Sequence, residues 1–483
     1  MKKKAIAKTL AALLLILAIN MLVPFCMALW FHEIREALAF LAVISSMVCL
    51  SCTTLFVLRK HTVRTFSPRD GFFFVTASWV LASLFGALPF YISGSIPEMS
   101  SAYFETMSGF TTTGASVLSN IEALPKSMLF WRSQTHWLGG MGIVVLTVAI
   151  LPLLGIGGLQ LIKAEAPGPT VDRLTPRITG TAKILWGIYI GMTILQTILL
   201  LAGGMSLFDA VTHTFGTLAT GGFSTKNSSV AYFHSAYIDY VITIFMVLSG
   251  MNFTMHYRFL TGKMKSILTD GELIGYLVIF FGATLIVTID LFIKGGSSPS
   301  DSVRLASFQC ASILTTTGFI TADYVKWPAV SQFIIFFLMF IGGCSGSTGG
   351  GIKVIRIVTM LKKAINEMKY LIHPRGTFNL KVSGTTIKKD IAYAISGFFF
   401  LYIALLFVTT FVVSTADVDV FSAFTTALTT VGNIGPGFGR VGPVENMGFF
   451  PPYVKWFLSF AMMTGRLEIY TVLVLATPVF WKR

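Results

Sequence analysis

Long apolar runs separated by short polar stretches set the pattern of this chain. Runs of about 20 apolar residues are long enough to cross a hydrocarbon core of ~30 Å. They predict spans near residues 7–30, 36–58, 71–94, 130–155, 184–203, 237–260, 273–293, 391–413 and 453–480, with a further segment starting at about Val330. Four shorter, semi-polar segments, at about 100–110, 206–217, 302–314 and 419–429, are too short to cross. They predict half-helices that enter the membrane and turn back. The fold class expected is all-α and integral to the membrane: about ten transmembrane helices plus four re-entrant half-helices.

Each half-helix runs into a stretch of threonine and glycine. Ser108–Ala115 reads S-G-F-T-T-T-G-A; residues 215–222 read F-G-T-L-A-T-G-G; 312–319 read S-I-L-T-T-T-G-F; and 426–433 read T-A-L-T-T-V-G-N. Aligned on Gly114, Gly221, Gly318 and Gly432, the copies fall roughly 100 residues apart, the spacing of an internal repeat. The division expected is a leading two-span unit, 1–60, and four repeats, 61–162, 163–265, 266–375 and 376–483. Non-helical backbone at membrane depth survives only where protein or a water-filled cavity surrounds it. A dehydrated cation needs a close cage of oxygens, which backbone carbonyls supply when several loops point them at one axis. Glycine permits the backbone that such loops require. Four copies in the same context favour a cation-selective pore over the alternative, four ordinary extracellular loops.

Composition agrees with a membrane protein. The 483 residues are 54% hydrophobic and 12% charged, where a soluble domain carries about 25% charged residues. The net charge of +15 reads as the positive-inside bias of short cytoplasmic loops, not as a nucleic-acid surface. The basic segments are Lys2–Lys4, Arg59–Arg64, Lys163–Lys183, Lys263–Lys265, Lys353–Lys389 and Lys482-Arg483. They put both termini in the cytoplasm and the threonine-glycine loops toward the outside. The half-helices then end near the membrane centre with their negative dipole ends facing a cation. The N-terminal run imitates a signal peptide but continues past Met21 toward Trp30, as an uncleaved first span does. Cys49 and Cys52 lie within a span and read as packing residues, not as a metal or redox pair.

Two interruptions stand out. Six glycines fall within Gly342–Gly351 (G-G-C-S-G-S-T-G-G-G), and each costs a helix ~1 kcal/mol relative to alanine. This segment, with Gly342, Gly343, Gly346, Gly349, Gly350 and Gly351, reads as an intramembrane loop able to obstruct the pore, or as a static kink. A phosphate loop is rejected, since no lysine directly follows the last glycine. Arg466 lies mid-span, where an arginine costs ~2.5–3.5 kcal/mol on insertion scales. It aligns in depth with Gly342-Gly343 and Gly139-Gly140, and reads as a charge under the cation path or as a structural ion pair with Glu468. Glu105 and Asn433 are placed either to hydrogen-bond the loop backbone or simply to pack. His136 and His213 read as structural. No catalytic constellation is evident, so no enzymatic activity is expected. Asp290 and Glu468 are the few acidic candidates for proton or sodium coupling.

On these residues the chain resembles the TrkH family, the membrane subunits of bacterial Trk potassium-uptake systems within the Trk/Ktr/HKT superfamily. The resemblance rests on the leading two-span unit, the four repeats, the G-G-x-S-G-S-T-G-G-G break and the G-R-x-E of the last repeat. It implies a homodimer in the lipid of the bacterial inner membrane, each protomer with its own potassium pore. It implies a cytoplasmic partner, a ring of nucleotide-binding TrkA-type subunits, and K+ as the transported ion with no organic cofactor. It assigns the ion cage to carbonyls around Thr112-Thr113-Gly114, Ala219-Thr220-Gly221, Thr316-Thr317-Gly318 and Thr430-Val431-Gly432. It assigns gating to Gly342–Gly351 and the constriction to Arg466. Thr430-Val431-Gly432 matches the start of the potassium-channel signature; the other copies depart from it, which implies a shorter cage and weaker rejection of sodium. Glycine rather than serine at position 114 argues for potassium. A proton- or sodium-coupled potassium symporter is the alternative.

Overall fold

The computed structural model describes residues 1–60, 66–142, 178–382, 385–387 and 389–482. Helices α1 (Lys3–Trp30) and α2 (Ile34–Val57) form an antiparallel hairpin ahead of the repeats. Its turn is tied to the body by Glu33, whose carboxylate accepts the backbone N–H of Lys126 at 2.7 Å and of Ser127 at 3.0 Å. Helix α3 (Pro68–Ile92) begins with a capping box, Ser67 and Asp70 exchanging bonds around Pro68, which satisfies donors that a helix start otherwise leaves bare. The N–H of Lys2 reaches Asp70 at 2.9 Å and Arg69 reaches the carbonyl of Lys482 at 2.7 Å. Both ends of the described chain therefore lie on one face, where α3 starts.

Four units follow one plan. In the first, α3 crosses, α4 (Met99–Phe110) re-enters, and α5 (Lys126–Gly140) returns. The second has α6 (Ile178–Ala202), α7 (Leu207–Leu218), then α8 (Ala236–Ser249) and α9 (Phe253–Leu260). The third has α10 (Gly271–Lys294), α11 (Pro299–Leu314), α12 (Ala329–Leu338) and α13 (Val354–Ile372). The fourth has α14 (Lys389–Ser414), α15 (Val420–Val431), α16 (Pro452–Arg466) and the short α17 (Ile469–Leu473). A two-residue antiparallel pair, Lys381–Val382 with Thr385–Thr386, sits between the last two units.

Among the described residues six helices are long and apolar enough to span a membrane, or eight if each bent pair counts as one span. Their apolar windows are only 22–50% buried within the protein. The remaining apolar surface needs an apolar solvent, which lipid supplies. The re-entrant helices are the opposite case. From Ser100 to Phe110 every residue of α4 is buried, so its semi-polar sequence faces protein. Threonine hydroxyls there bond back to the carbonyl one turn earlier, as Thr106 does to Ala102 and Thr426 to Ser422.

Two expectations about spans are corrected. The runs at 237–260 and 453–480 are not continuous helices: α8 and α9 meet at 98°, and α16 and the helical turn after it at 119°. The first break is held by Asn252, whose side chain caps α9 through the N–H of Thr254 at 2.9 Å. The second turns at Glu468, with φ 58°. Apolar content counts length but is blind to such caps. The expected span from about Phe130 is helical to Gly140, and its continuation beyond Gly142 lies outside the described residues, as do most of the basic loop Lys163–Lys183 and the 61–65 part of the Arg59–Arg64 cluster.

At the face opposite the termini, Glu98 precedes α4 and accepts from Ser101 Oγ at 2.5 Å and from Lys455 Nζ at 3.0 Å. These bonds, led by Ser101, hold its carboxyl down to about 2 from the ordinary 4.5. A carboxyl lowered on folding contributes stability above its unfolded value and loses it as pH falls toward the folded one. Thermal melting in detergent should therefore show the advantage of wild type over Glu98→Gln shrinking between pH 5 and pH 2. Solvent screens the carboxylate, which is 43% exposed, so the effect should be modest even though Lys455 is buried.

Candidate functional site

The four half-helices end alike. At each C-terminus a non-glycine residue takes the left-handed conformation: Thr112 (φ 53°), Thr220 (55°), Thr316 (59°) and Asn433 (55°). Two residues later a glycine has positive φ: Gly114 (77°), Gly222 (77°), Gly318 (81°) and Gly435 (96°). The intervening residue donates its N–H to a carbonyl five residues back in the helix, Thr113 to Ser108 at 2.9 Å, Gly221 to Gly216 at 2.8 Å, Thr317 to Ser312 at 2.8 Å and Ile434 to Thr429 at 2.9 Å. This helix ending satisfies the last carbonyls, and its repetition fixes the register of the four copies.

That register corrects the alignment of two copies. Gly222, not Gly221, matches Gly114, and Gly435, not Gly432, does so in the fourth unit. Thr430 and Val431 belong to the last turn of α15, and Gly432 is its C-cap with ordinary helical angles. Ala219 likewise caps α7. The equivalent triplets are Thr112-Thr113-Gly114, Thr220-Gly221-Gly222, Thr316-Thr317-Gly318 and Asn433-Ile434-Gly435.

The glycines show how the loops meet. A Cβ added to Gly114 would lie 2.1 Å from the carbonyl oxygen of Gly221; to Gly222, 2.0 Å from that of Thr317; to Gly318, 2.3 Å from that of Ile434; to Gly435, 2.8 Å from that of Thr113. Each loop abuts the next and the fourth abuts the first, so the contacts close into a ring. Positive φ and the missing space both demand glycine here. On the face away from the termini the ring opens into a cavity of about 140 Å³, bordered by all four of these glycines.

Buried polar side chains brace the loops from behind. Glu105 pairs with Arg132 at 2.6 Å and accepts from Ser116 Oγ and the N–H of Val117, both at 2.9 Å. Arg132 donates to the carbonyl of Ser224 at 2.9 Å and stacks 3.5 Å from the Phe223 ring centre. Asn433 donates to Thr113 Oγ1 and to the carbonyl of Met462, both at 2.9 Å. His136 contacts the carbonyl of Gly109 at 2.7 Å and accepts the N–H of Phe223 at 3.2 Å. His213 contacts Ser224 Oγ at 2.9 Å. Arg132 was not singled out from the sequence, because it opens the polar stretch Arg132–His136 and does not interrupt an apolar run.

On the side toward the termini the Gly342–Gly351 loop crosses beneath the ring. The N–H of Gly350 donates to Thr316 Oγ1 at 2.7 Å, and the same glycine lies against the carbonyl of Gly432 and the side chain of Asn433. Lys353 donates to the carbonyls of Gly349 and Gly350. Arg466 joins two units, donating to the carbonyls of Thr348 at 2.6 Å and of Gly139 and Gly140 at 3.0 Å each. Glu468 pairs with Arg356 of α13, whose guanidinium also lies 3.9 Å from the Phe398 ring centre. Asp290 accepts from Ser331 N–H at 2.9 Å and Oγ at 2.7 Å, capping α12.

Four half-helices converging on one ring of backbone inside a lipid-facing helical body mark the class of membrane transport proteins. The chain belongs to the TrkH family, described as cation transport proteins, whose model matches residues 39–483. It is 39% identical to the Trk system potassium uptake protein TrkH of Halomonas elongata over the whole of both chains. It is 42% identical to that of Escherichia coli K12 over 86% of each chain. The crystal structure of the potassium transporter TrkH from Vibrio parahaemolyticus matches over the full length of both chains, with a TM-score of 0.89 and 37% identity.

Removing one partner of a buried ion pair typically costs about 3–5 kcal/mol, because the other charge stays behind. Arg132→Met should therefore lower the melting temperature sharply. Glu105→Met/Arg132→Met should be less destabilised than Arg132→Met, though short of wild type, since Val117 N–H and Ser116 lose their acceptor.

Proposed function

We propose that the chain takes up potassium, as its relatives are named for doing, and does so across a bacterial inner membrane through a channel-like gated pore. The observation that carries this is the closed ring of glycine-to-carbonyl contacts. The carbonyls of the four corrected triplets replace the hydration shell of a bare cation. The half-helices point their C-terminal, partly negative ends at the same place, which favours a cation. The 342–351 loop, seated under the ring, is the gate. Arg466 supports its closed position through Thr348 and adds a positive charge below the cage. Taken at a separation of roughly 8 Å and an effective dielectric of about 20, such a charge opposes a cation by about 2 kcal/mol, or roughly thirty-fold in rate.

The basic segments support a cytoplasmic position for the face with the termini. There a TrkA-type nucleotide-binding ring would dock on a homodimer of this chain. The division into a leading unit and four repeats follows the helix plan. The channel-like reading is favoured over a coupled symporter because the two candidate carboxylates are engaged in structure, Asp290 with Ser331 and Glu468 with Arg356.

Purified protein in liposomes tests the proposal: potassium flux should follow the potassium gradient alone, and dependence on a proton or sodium gradient would replace the reading with symport. Gly222→Ser and Gly435→Ser, like Gly114→Ser, should lower the potassium-to-sodium permeability ratio; an unchanged ratio for the first two would refute the corrected register. Arg466→Ala should raise flux by about ten-fold or more, by the estimate above; unaltered flux would reduce Arg466 to a structural tie.

A further inference from the structure

A gate needs an element with two arrangements and something that holds the closed one in place. The 342–351 loop is closed at its base by its own backbone, Gly342 N–H to the carbonyl of Ile352 at 2.8 Å and Val354 N–H to that of Gly343 at 3.2 Å. Its far part rests on Thr316 and Arg466, as described. Six glycines leave the stretch between these points little stiffness of its own.

Between these points the loop bonds the break of the second unit, Cys344 N–H to the carbonyl of Gly250 at 2.8 Å and Phe253 N–H to that of Gly346 at 3.0 Å, and Glu272 adds a side-chain restraint from a different helix. It lies in the first turn of α10, outside the loop, and is buried. One carboxylate oxygen accepts the N–H of Ser345, inside the loop, at 2.7 Å, and the N–H of Ile355, in the first turn of α13, at 3.1 Å. A carboxylate at a helix N-terminus also meets the positive end of the helix dipole. A single side chain thus joins the loop, the helix that leaves it and a second helix, α10.

Resting on the gating reading above, we infer that Glu272 is a positioning residue of the gate: its carboxylate clamps the loop and the start of α13 to α10 in the closed arrangement. Its hydrogen bonds run to Ser345 and Ile355, not to the ring. Loosening it should therefore change how often the pore is open and leave selectivity alone.

The experiment compares potassium and sodium flux in liposomes for wild type, Glu272→Gln, Glu272→Ala and a loop variant lacking Gly349–Gly351. Both Glu272 variants should raise potassium flux severalfold, alanine more than glutamine, with the potassium-to-sodium ratio of wild type. A helix cap with no gating role would lower the melting temperature and leave flux per folded protein unchanged. If the loop deletion raises flux while folded Glu272 variants do not, the clamp is wrong and the gate stands. If the deletion itself leaves flux unchanged, the gate fails and the clamp with it. A changed ion ratio in a Glu272 variant would overturn the inference by placing the residue's effect at the ring. Should alanine aggregate, the near-isosteric glutamine decides; aggregation of both would assign Glu272 to folding and overturn the inference.

Discussion

Four stretches of main chain must approach one another more closely than any side chain allows. A Cβ at Gly222 would stand 2.0 Å from the carbonyl oxygen of Thr317, well inside van der Waals contact. The glycines make the approach possible, and the left-handed residues two positions earlier turn the chain so that it happens. For threonine that conformation is strained. It persists because each loop is bonded to the end of its own half-helix, and because Thr111 with Thr113 and Thr315 with Thr317 add hydroxyl bonds of 2.8 Å. The buried Glu105–Arg132 pair, Asn433 and His136 are further supports for the same turn.

The second demand comes from the lipid. Backbone that leaves a helix inside a membrane must find partners within the protein. The breaks in the returning spans meet that demand by supplying one another. Cys344 donates to the carbonyl of Gly250 at 2.8 Å and Phe253 to that of Gly346 at 3.0 Å, so the second unit's break satisfies the third unit's loop. Arg466 serves the carbonyls left at the end of α5. The loop beneath the ring is thus locally irregular yet well bonded.

Much of this was legible along the chain. The long spans, the four half-helices and the unusual loop follow from runs of apolar residues and their interruption. The triplets at Gly114 and Gly318 are also where the pattern T-T-T-G puts them. The second and fourth copies misled because T-G-G offers two glycines and T-V-G-N-I-G-P-G offers three. Likeness of T-T-V-G to T-T-T-G put Gly432, a helix cap, into the alignment. Backbone angle and inter-loop distance distinguish these glycines, and neither is written in one dimension. The breaks at Asn252 and Glu468 were hidden for a similar reason: a mean over 20 residues does not register a cap.

By itself the order of residues determined that this chain lives in lipid, where its long apolar helices lie, and that four short semi-polar helices each end in a threonine- and glycine-rich stretch. Those are local properties, set by hydropathy and length. Only the folded arrangement decided the register of the ring, the pairing of Glu468 with Arg356, the three carbonyls beneath Arg466 and the reach of Glu272 to the loop. Each of these joins residues far apart along the chain, and a contact between distant segments exists only once packing has brought their backbones together.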